Sequence, residues 1–327
     1  MRRQCKQHRL MERAGGFFRA AAAFLKKIWH NPQGRTGLIL IAVLAAVALL
    51  APVLAPYDPY DVALRDDKGL APSAEHLLGT SITTGQDVFS MLLYGTRVSM
   101  CIGIVTGLAI AFLGSILGVA AGYAGIVADT VIMRLVDVML VIPTLPLTIL
   151  ITNVFGKSYV VIVLVFILLG WPGLARTVRS QVLQIKNNDY VKAAELAGAG
   201  RGYIMFRHIL PGVSHLVVMS TALTCAGIMI AEAGLSFLGL GNPTTISWGK
   251  MLADAQSGGS VLFGQWWTII APGIGIFLAV FSFMRVGLAV EEILNPNMRK
   301  QGSIKKLWKH MNGRYLDEAF GSMEDDR

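Results

Sequence analysis

The run Val98–Ala128, VSMCIGIVTGLAIAFLGSILGVAAGYAGIVA, holds 31 residues without a single Asp, Glu, Lys or Arg. Crossing ~30 Å of hydrocarbon takes roughly 20 apolar helical residues, so this run is long enough to span a bilayer with residues to spare. Within hydrocarbon the backbone must satisfy its own hydrogen bonds, which a helix does inside one segment. Five more uncharged runs of 18 residues or more flank it: Thr36–Tyr57, Val138–Gly156, Ser158–Ala175, Ile209–Ala231 and Ala255–Met284. The chain of 327 residues is 54% hydrophobic and 15% charged, against about 25% charged in soluble domains. The expected fold is all-α, a polytopic membrane protein with six transmembrane helices.

The glycines inside Val98–Ala128 have a pattern. Gly103/Gly107, Gly114/Gly118 and Gly118/Gly122 are spaced four apart, the arrangement that lets helix backbones approach closely. Packing is the main reading, and a dimer interface the second. Val138–Gly156 contains Pro143 and Pro146. Each removes a backbone donor and clashes with the preceding turn, so a kink or break is expected there, and Pro143 becomes a candidate for the pathway or its gate.

Charge orients the spans. Residues 1–35 carry nine Lys/Arg against Glu12 alone, the 57–97 connection three against six acids, and the 176–211 connection six against Asp189 and Glu195. With both termini cytoplasmic, 24 of the 29 Lys/Arg fall inside, as the positive-inside rule requires. The 129–137 connection is the weakest witness, since Arg134 stands between Asp129 and Asp137. The first run should remain as a signal anchor, because about 35 polar and basic residues precede it and its apolar core exceeds a signal-peptide h-region. Residues Phe17–Trp29 alternate apolar and basic positions and are expected on the inner membrane surface. The net charge of +9 flanks spans, so anionic lipid rather than nucleic acid is its expected partner. The 57–97 connection is rich in Pro, Gly and Asp, which is turn chemistry, and ends in an apolar helical lead, Asp87–Tyr94.

Three cysteines without paired spacing indicate neither a disulfide framework nor a metal site. There is no G-x-x-x-x-G-K-[ST], no HExxH and no G-x-S-x-G. No cofactor and no catalytic residue are expected, and the chain should not hydrolyse ATP itself. Glu232, near the end of the fifth run, is the notable acid in or near lipid, where ionisable residues are functional candidates by default. It is a candidate for the pathway or outer gate, with a structural role as the stronger reading.

The remaining signal is Tyr190–Pro211, YVKAAELAGAGRGYIMFRHILP, between the fourth and fifth runs. Asn187, Asn188 and Asp189 are N-cap candidates for a helix from about Tyr190. Ala193/Ala197 and Ala194/Gly198 make a smooth small-residue patch. Gly198, Gly200 and Gly202 should end that helix within one turn. A second short helix, about Tyr203–Ile209, should then lead to Pro211.

Here the chain resembles the permease subunits of ATP-binding-cassette importers. Lys192-Ala193-Ala194, then Gly198, then Leu210-Pro211 matches their "EAA" motif. The resemblance narrows to the dipeptide/oligopeptide/nickel subfamily and covers nearly all of residues 35–300. It is carried by Leu54-Ala55-Pro56-Tyr57-Asp58-Pro59, Leu78-Gly79-Thr80, Gly85-Gln86-Asp87-Val88, Tyr94-Gly95-Thr96-Arg97, Arg134-Leu135-Val136-Asp137-Val138, Gly170-Trp171-Pro172, Arg207-His208-Ile209-Leu210-Pro211, Glu232–Gly241 and Ser247-Trp248-Gly249. Lys192 stands where the family has Glu, with Glu195 one turn later, and Gln86 stands where Arg is typical.

The resemblance implies a type I importer permease (MetI-like) fold. It implies that Lys192, Ala193, Ala194, Glu195, Gly198, Leu210 and Pro211 form a coupling helix and its base, docked on a cytoplasmic ATPase. The implied partners are a homologous second permease, two ATPase subunits and an extracytoplasmic solute-binding protein contacting 57–97 and 233–267. The implied location is the cell (inner) membrane. The implied organisation is a cytoplasmic segment 1–35, a first span 36–57, an outer connection 58–97, a five-helix core 98–290 containing the coupling segment 187–211, and a cytoplasmic tail 291–327. The cargo is expected to be a di- or oligopeptide, with nickel or a metal chelate as the alternative. A self-contained secondary transporter is the rival of a different class, although neither inverted repeats nor midplane charges mark one.

Overall fold

The computed structural model describes residues 24–61 and 67–294. The expectations for residues 1–23 and 295–327, including most of the basic N-terminal stretch, fall outside them. Residues 24–30 are helical. Asn31 then caps α1 (Pro32–Leu54) by accepting from the backbone N–H groups of Gln33 and Gly34 at 2.8 and 3.2 Å. Asp87 caps α2 (Val88–Tyr123) in the same way, with Oδ2 accepting from both Ser90 N–H and Ser90 Oγ. Its other oxygen pairs with His76 Nδ1 at 3.0 Å.

At 36 residues, α2 extends ~54 Å at 1.5 Å per residue and forms the axle of the bundle. Its glycine row faces α5 (Tyr159–Lys186) and α8 (Leu210–Phe237) of the same chain, which settles the row as intramolecular packing. A Cβ on Gly107 would sit 2.4 Å from Cys225 Sγ, and one on Gly118 would sit 2.6 Å from the Ala175 carbonyl oxygen. The last span, α10 (Trp267–Leu294), packs on α1, where a Cβ at Gly37 would meet the Ser282 carbonyl at 2.8 Å.

Among the described residues, five helices are long and apolar enough to cross a membrane: α1, α2, α5, the continuous stretch Arg201–Phe237 and the last helix. A bent pair, α3 (Ile126–Val141) and α4 (Thr144–Phe155), set at 82°, makes a sixth when it is counted as one broken span. The break falls at Ile142–Pro143. Residues before a proline avoid the helical region, and Ile142 is extended at φ −70°, ψ 122°.

One expectation is corrected here. The stretch 129–137 is not a loop connection but the middle of α3. Its two acids are paired with arginines of α5, Asp129 in a partly buried contact and Asp137 in an exposed one. Asp129 takes a two-pronged pair from Arg179, at 2.5 and 2.6 Å, and Asp137 pairs with Arg176.

The bundle therefore has two dissimilar ends. At the cap end, residues 67–87 and 238–266 pack on the tops of α2, α8 and α10. Gln265 Nε2 donates to the Gly69 carbonyl at 3.1 Å, and Gln86 Nε2 donates to the Pro59 carbonyl at 2.6 Å. A short helix, α9 (Trp248–Ser257), lies among them, with Trp248 only 1% exposed. At the arm end, the segment between α5 and α8 projects from a separate hydrophobic cluster.

Candidate functional site

The arm begins where α5 stops at Lys186 and the chain turns through Asn187 and Asn188 into α6 (Asp189–Leu196). Asn188 occupies the N-cap position as expected, but its side chain makes no capping bond. Val191, Ile204 and Ile209, all 0–1% exposed, insert into a cluster with Val178, Val182 and Ile185. These three apolar residues hold the arm to the ends of α5 and α8. Burial of each such side chain stabilises by about 1.5–3 kcal/mol, enough to make the arm a firm projection rather than a loose loop. Tyr123 adds a strut from the end of α2, donating its hydroxyl to the Arg201 carbonyl at 3.0 Å.

α6 ends in a six-to-one and five-to-two hydrogen-bond pair, Ala199 N–H to Ala194 O and Gly198 N–H to Glu195 O, both 3.0 Å. This motif needs one left-handed residue. Gly198 supplies it at φ +80°, with no atom within 4 Å of where its Cβ would lie. Gly198 is therefore required for its backbone angle and not for lack of space.

The other two glycines act differently from expectation. Gly200 is the N-cap of the next helix, α7 (Arg201–Ile204), and Gly202 lies inside it. Nor is there a separate helix over Tyr203–Ile209. α7 passes through a π-turn at Met205–Ile209 directly into α8. Pro211 has no N–H, and its ring crowds the carbonyl four residues back. The widened turn just before it, closed by Leu210 N–H to Met205 O, accommodates that crowding.

Lys192, Ala193, Glu195 and Gly198 lie together on the exposed surface of α6 and its C-terminal turn, with Ala194 half-buried. Leu210 and Pro211 stand apart from them at the base of the arm. Three residues that the small-residue pattern did not reveal join the exposed surface. Leu196 is 89% exposed, Phe206 69% and Tyr203 58%. Their signal was available in principle, since large apolar residues in a segment leaving the membrane need a cover from somewhere. Beside Phe206 an apolar groove of about 690 Å³ runs between α2 and α8, lined by Tyr123, Met205, Val213 and Val217 among others.

The two remaining candidates are at other places. Pro143 is exposed at the break between α3 and α4. Glu232 is wholly buried at the cap end, one carboxylate oxygen accepting from Ser236 Oγ at 2.7 Å and from Ser247 Oγ at 3.1 Å. No group of three or more His, Cys, Asp or Glu among the described residues is arranged to hold a metal ion.

Among the described residues, five membrane-length helices, the bent pair α3–α4 and an arm projecting from the bundle define a polytopic, all-helical membrane protein. Residues 99–300 match the model of the binding-protein-dependent transport system inner membrane component, and residues 22–72 match the N-terminal transmembrane domain of oligopeptide transport permease C. The chain belongs to this family of importer permeases. It is 34% identical over 276 residues to the dipeptide transport system permease protein DppC of Bacillus subtilis, covering 84% of this chain and 85% of that one. The di/tripeptide transport system permease protein DppC of Pseudomonas aeruginosa is 34% identical over 286 residues, covering 84% and 93%. The oligopeptide transport system permease protein OppC of Bacillus subtilis is 33% identical over 271 residues, covering 83% and 87%.

Proposed function

We propose that this chain forms half of the translocation pathway of a peptide importer and takes its driving force from separate cytoplasmic ATPase subunits through the arm at residues 187–211. The observation that carries this reading is the arm itself. It is anchored at its base by Val191, Ile204 and Ile209, while Lys192, Ala193, Glu195, Leu196 and Gly198 are left uncovered. A firm projection joined without a break to α8 can pass a displacement directly into a span. The small residues of α6 let another protein approach closely, and Leu196 and Phe206 give that contact its apolar area.

The family and the printed names of its relatives support a di- or oligopeptide as cargo. The remaining partners are a homologous second permease and an external solute-binding protein, with the cap end facing outward and both termini in the cytoplasm. Pro143 and the 82° break beside it mark where the sixth crossing can flex as the two permeases move.

Uptake of a labelled dipeptide into membrane vesicles tests the reading. The full set of subunits should accumulate peptide only with ATP inside and with functional ATPase subunits. Accumulation by the purified chain reconstituted alone would overturn it.

A further inference from the structure

Before α1 the chain makes an elbow. The helix over residues 24–30 has two unlike faces. On a helical wheel Leu25, Ile28 and Trp29 share one arc, while Lys26, Lys27 and His30 share the other. Ile28 is buried, whereas Leu25 and Trp29 are exposed. Asn31 fixes the corner with both ends of its amide. Its Oδ1 caps α1, and its Nδ2 donates to Glu292 Oε2 at 2.9 Å, near the end of α10. A Cβ on Gly34 would lie 2.4 Å from the Ile28 carbonyl oxygen and 3.1 Å from Ala289 Cβ. The short helix is therefore folded back level with Gly34 and packed between α1 and α10.

A cavity of about 710 Å³ opens at this corner, with Lys26, Lys27 and His30 on one side and Glu292 and Ile293 on the other. His30 Nδ1 donates to the Lys26 carbonyl at 2.7 Å, which braces the helix. Two lysines face one carboxylate, and that carboxylate already accepts from Asn31. The lining as a whole favours an anion.

The depth of the cavity says which anion. One uncharged run starts at Thr36 and another ends at Met284, and Arg285 Nε donates to Thr36 Oγ1 at 3.3 Å. Two spans thus reach the edge of the hydrocarbon at the same level. At 1.5 Å per residue, Gly34 lies about 3 Å beyond Thr36 and Ala289 about 6 Å beyond Arg285. The headgroup layer on each side of a bilayer is roughly 5–7 Å thick. The helix over 24–30, packed on both residues, lies in that layer. α1 reaches the cap at its other end, where the Tyr57 N–H donates to Ser90 Oγ at 3.3 Å, so the elbow belongs to the arm end.

We propose that this cavity binds the phosphate of an anionic phospholipid, with Lys26 and Lys27 on the headgroup and Leu25 and Trp29 against the acyl chains. An interfacial helix with a basic face and exposed Leu and Trp suits that surface, and lysine stems can reach along it to the phosphate. Each basic residue near an anionic surface strengthens binding by roughly fivefold. The general attraction of basic flanks to lipid is thereby narrowed to one place. Neither cargo nor motor takes part, so the site stands or falls apart from the importer reading.

The test places the full-length chain and its partner subunits in phosphatidylcholine nanodiscs that contain a minor fraction of phosphatidylglycerol brominated on its chains. Bromine quenches nearby tryptophan, and the share due to Trp29 is the part lost in Trp29→Phe. That quenching should be at least threefold stronger than with brominated phosphatidylcholine at the same fraction. Lys26→Gln combined with Lys27→Gln should remove the excess, and Lys26→Arg with Lys27→Arg should keep it. Arg35→Gln deletes a cation at the same end but outside the cavity, and should leave most of the excess in place. Excess inorganic phosphate should not displace the lipid. Equal quenching by the two lipids, or the same loss in Arg35→Gln as in Lys26→Gln alone, overturns the site. Displacement by free phosphate overturns the lipid as its occupant.

Discussion

Two sets of glycines in this chain do opposite work. In α2, a Cβ on Gly103, Gly107, Gly118 or Gly122 would lie 2.4–2.6 Å from an atom of α8 or α5. In the arm, a Cβ on Gly198, Gly200 or Gly202 would meet nothing within 4 Å. The first set is small because a neighbouring helix of the same chain already fills the space. The second set is small around space that this chain leaves empty. The contrast separates glycines that a packed neighbouring helix requires from glycines that no packing in this chain requires, although both read as small-residue motifs in the sequence.

Substitutions at these and neighbouring positions test that difference. Gly118→Val should give the largest effect. A Cβ and two methyls against the Ala175 carbonyl and the Val178 side chain overpack a helix contact, which costs about 1–3 kcal/mol or more. Folded yield and melting temperature in detergent should both fall, and a parental melting temperature would show that α2 and α5 are not so close. Gly198→Val should leave the protein in the membrane and folded. A β-branched residue at φ +80° is strained by about 1–2 kcal/mol, so the end of α6 is reshaped. Peptide uptake should drop severalfold while ATP hydrolysis by the complex persists. Gly198→Asn, which tolerates the left-handed angle, should recover most of the uptake if the angle is the requirement.

A smaller change is expected for Asp129→Asn. The lost pair with Arg179, whose partners are 26% and 30% exposed, is worth about 1 kcal/mol, visible as a modest drop in melting temperature. Combining it with Arg179→Gln should cost little more than either change alone. Smallest is Gly202→Ala, inside α7 with open space around it. Alanine in a helix gains about 0.5–1 kcal/mol over glycine, so thermal stability should hold or rise slightly. If uptake falls at the same time, that face of α7 is itself covered by a partner.

The parts of the fold legible from sequence were those fixed by solvent exclusion. Uncharged runs marked five of the helices well. The break at Pro143 was legible, but the 129–137 stretch was misjudged as a connection, because Asp129, Arg134 and Asp137 look like a turn until Arg176 and Arg179 of α5 are seen opposite the two aspartates. Such matching is a tertiary fact. The arm's first helix and its glycine stop at Gly198 were readable from cap residues and spacing. The π-turn before Pro211 was not, since a proline signals disturbance without saying whether the helix ends or widens. The burial of Glu232 was equally hidden. Its partner Ser247 is 15 residues away, across a turn whose path the sequence does not specify.

The central claim is that the uncovered small-residue face of α6 is where a separate motor binds. Ala193→Cys, in a background without the native cysteines, can be labelled with a membrane-impermeant thiol reagent in vesicles of defined sidedness, with and without the ATPase subunits. The account predicts rapid labelling from the cytoplasmic side by the permease alone, and at least tenfold protection once the ATPase subunits are bound. Labelling from the outer side, or equal labelling with and without those subunits, would contradict it.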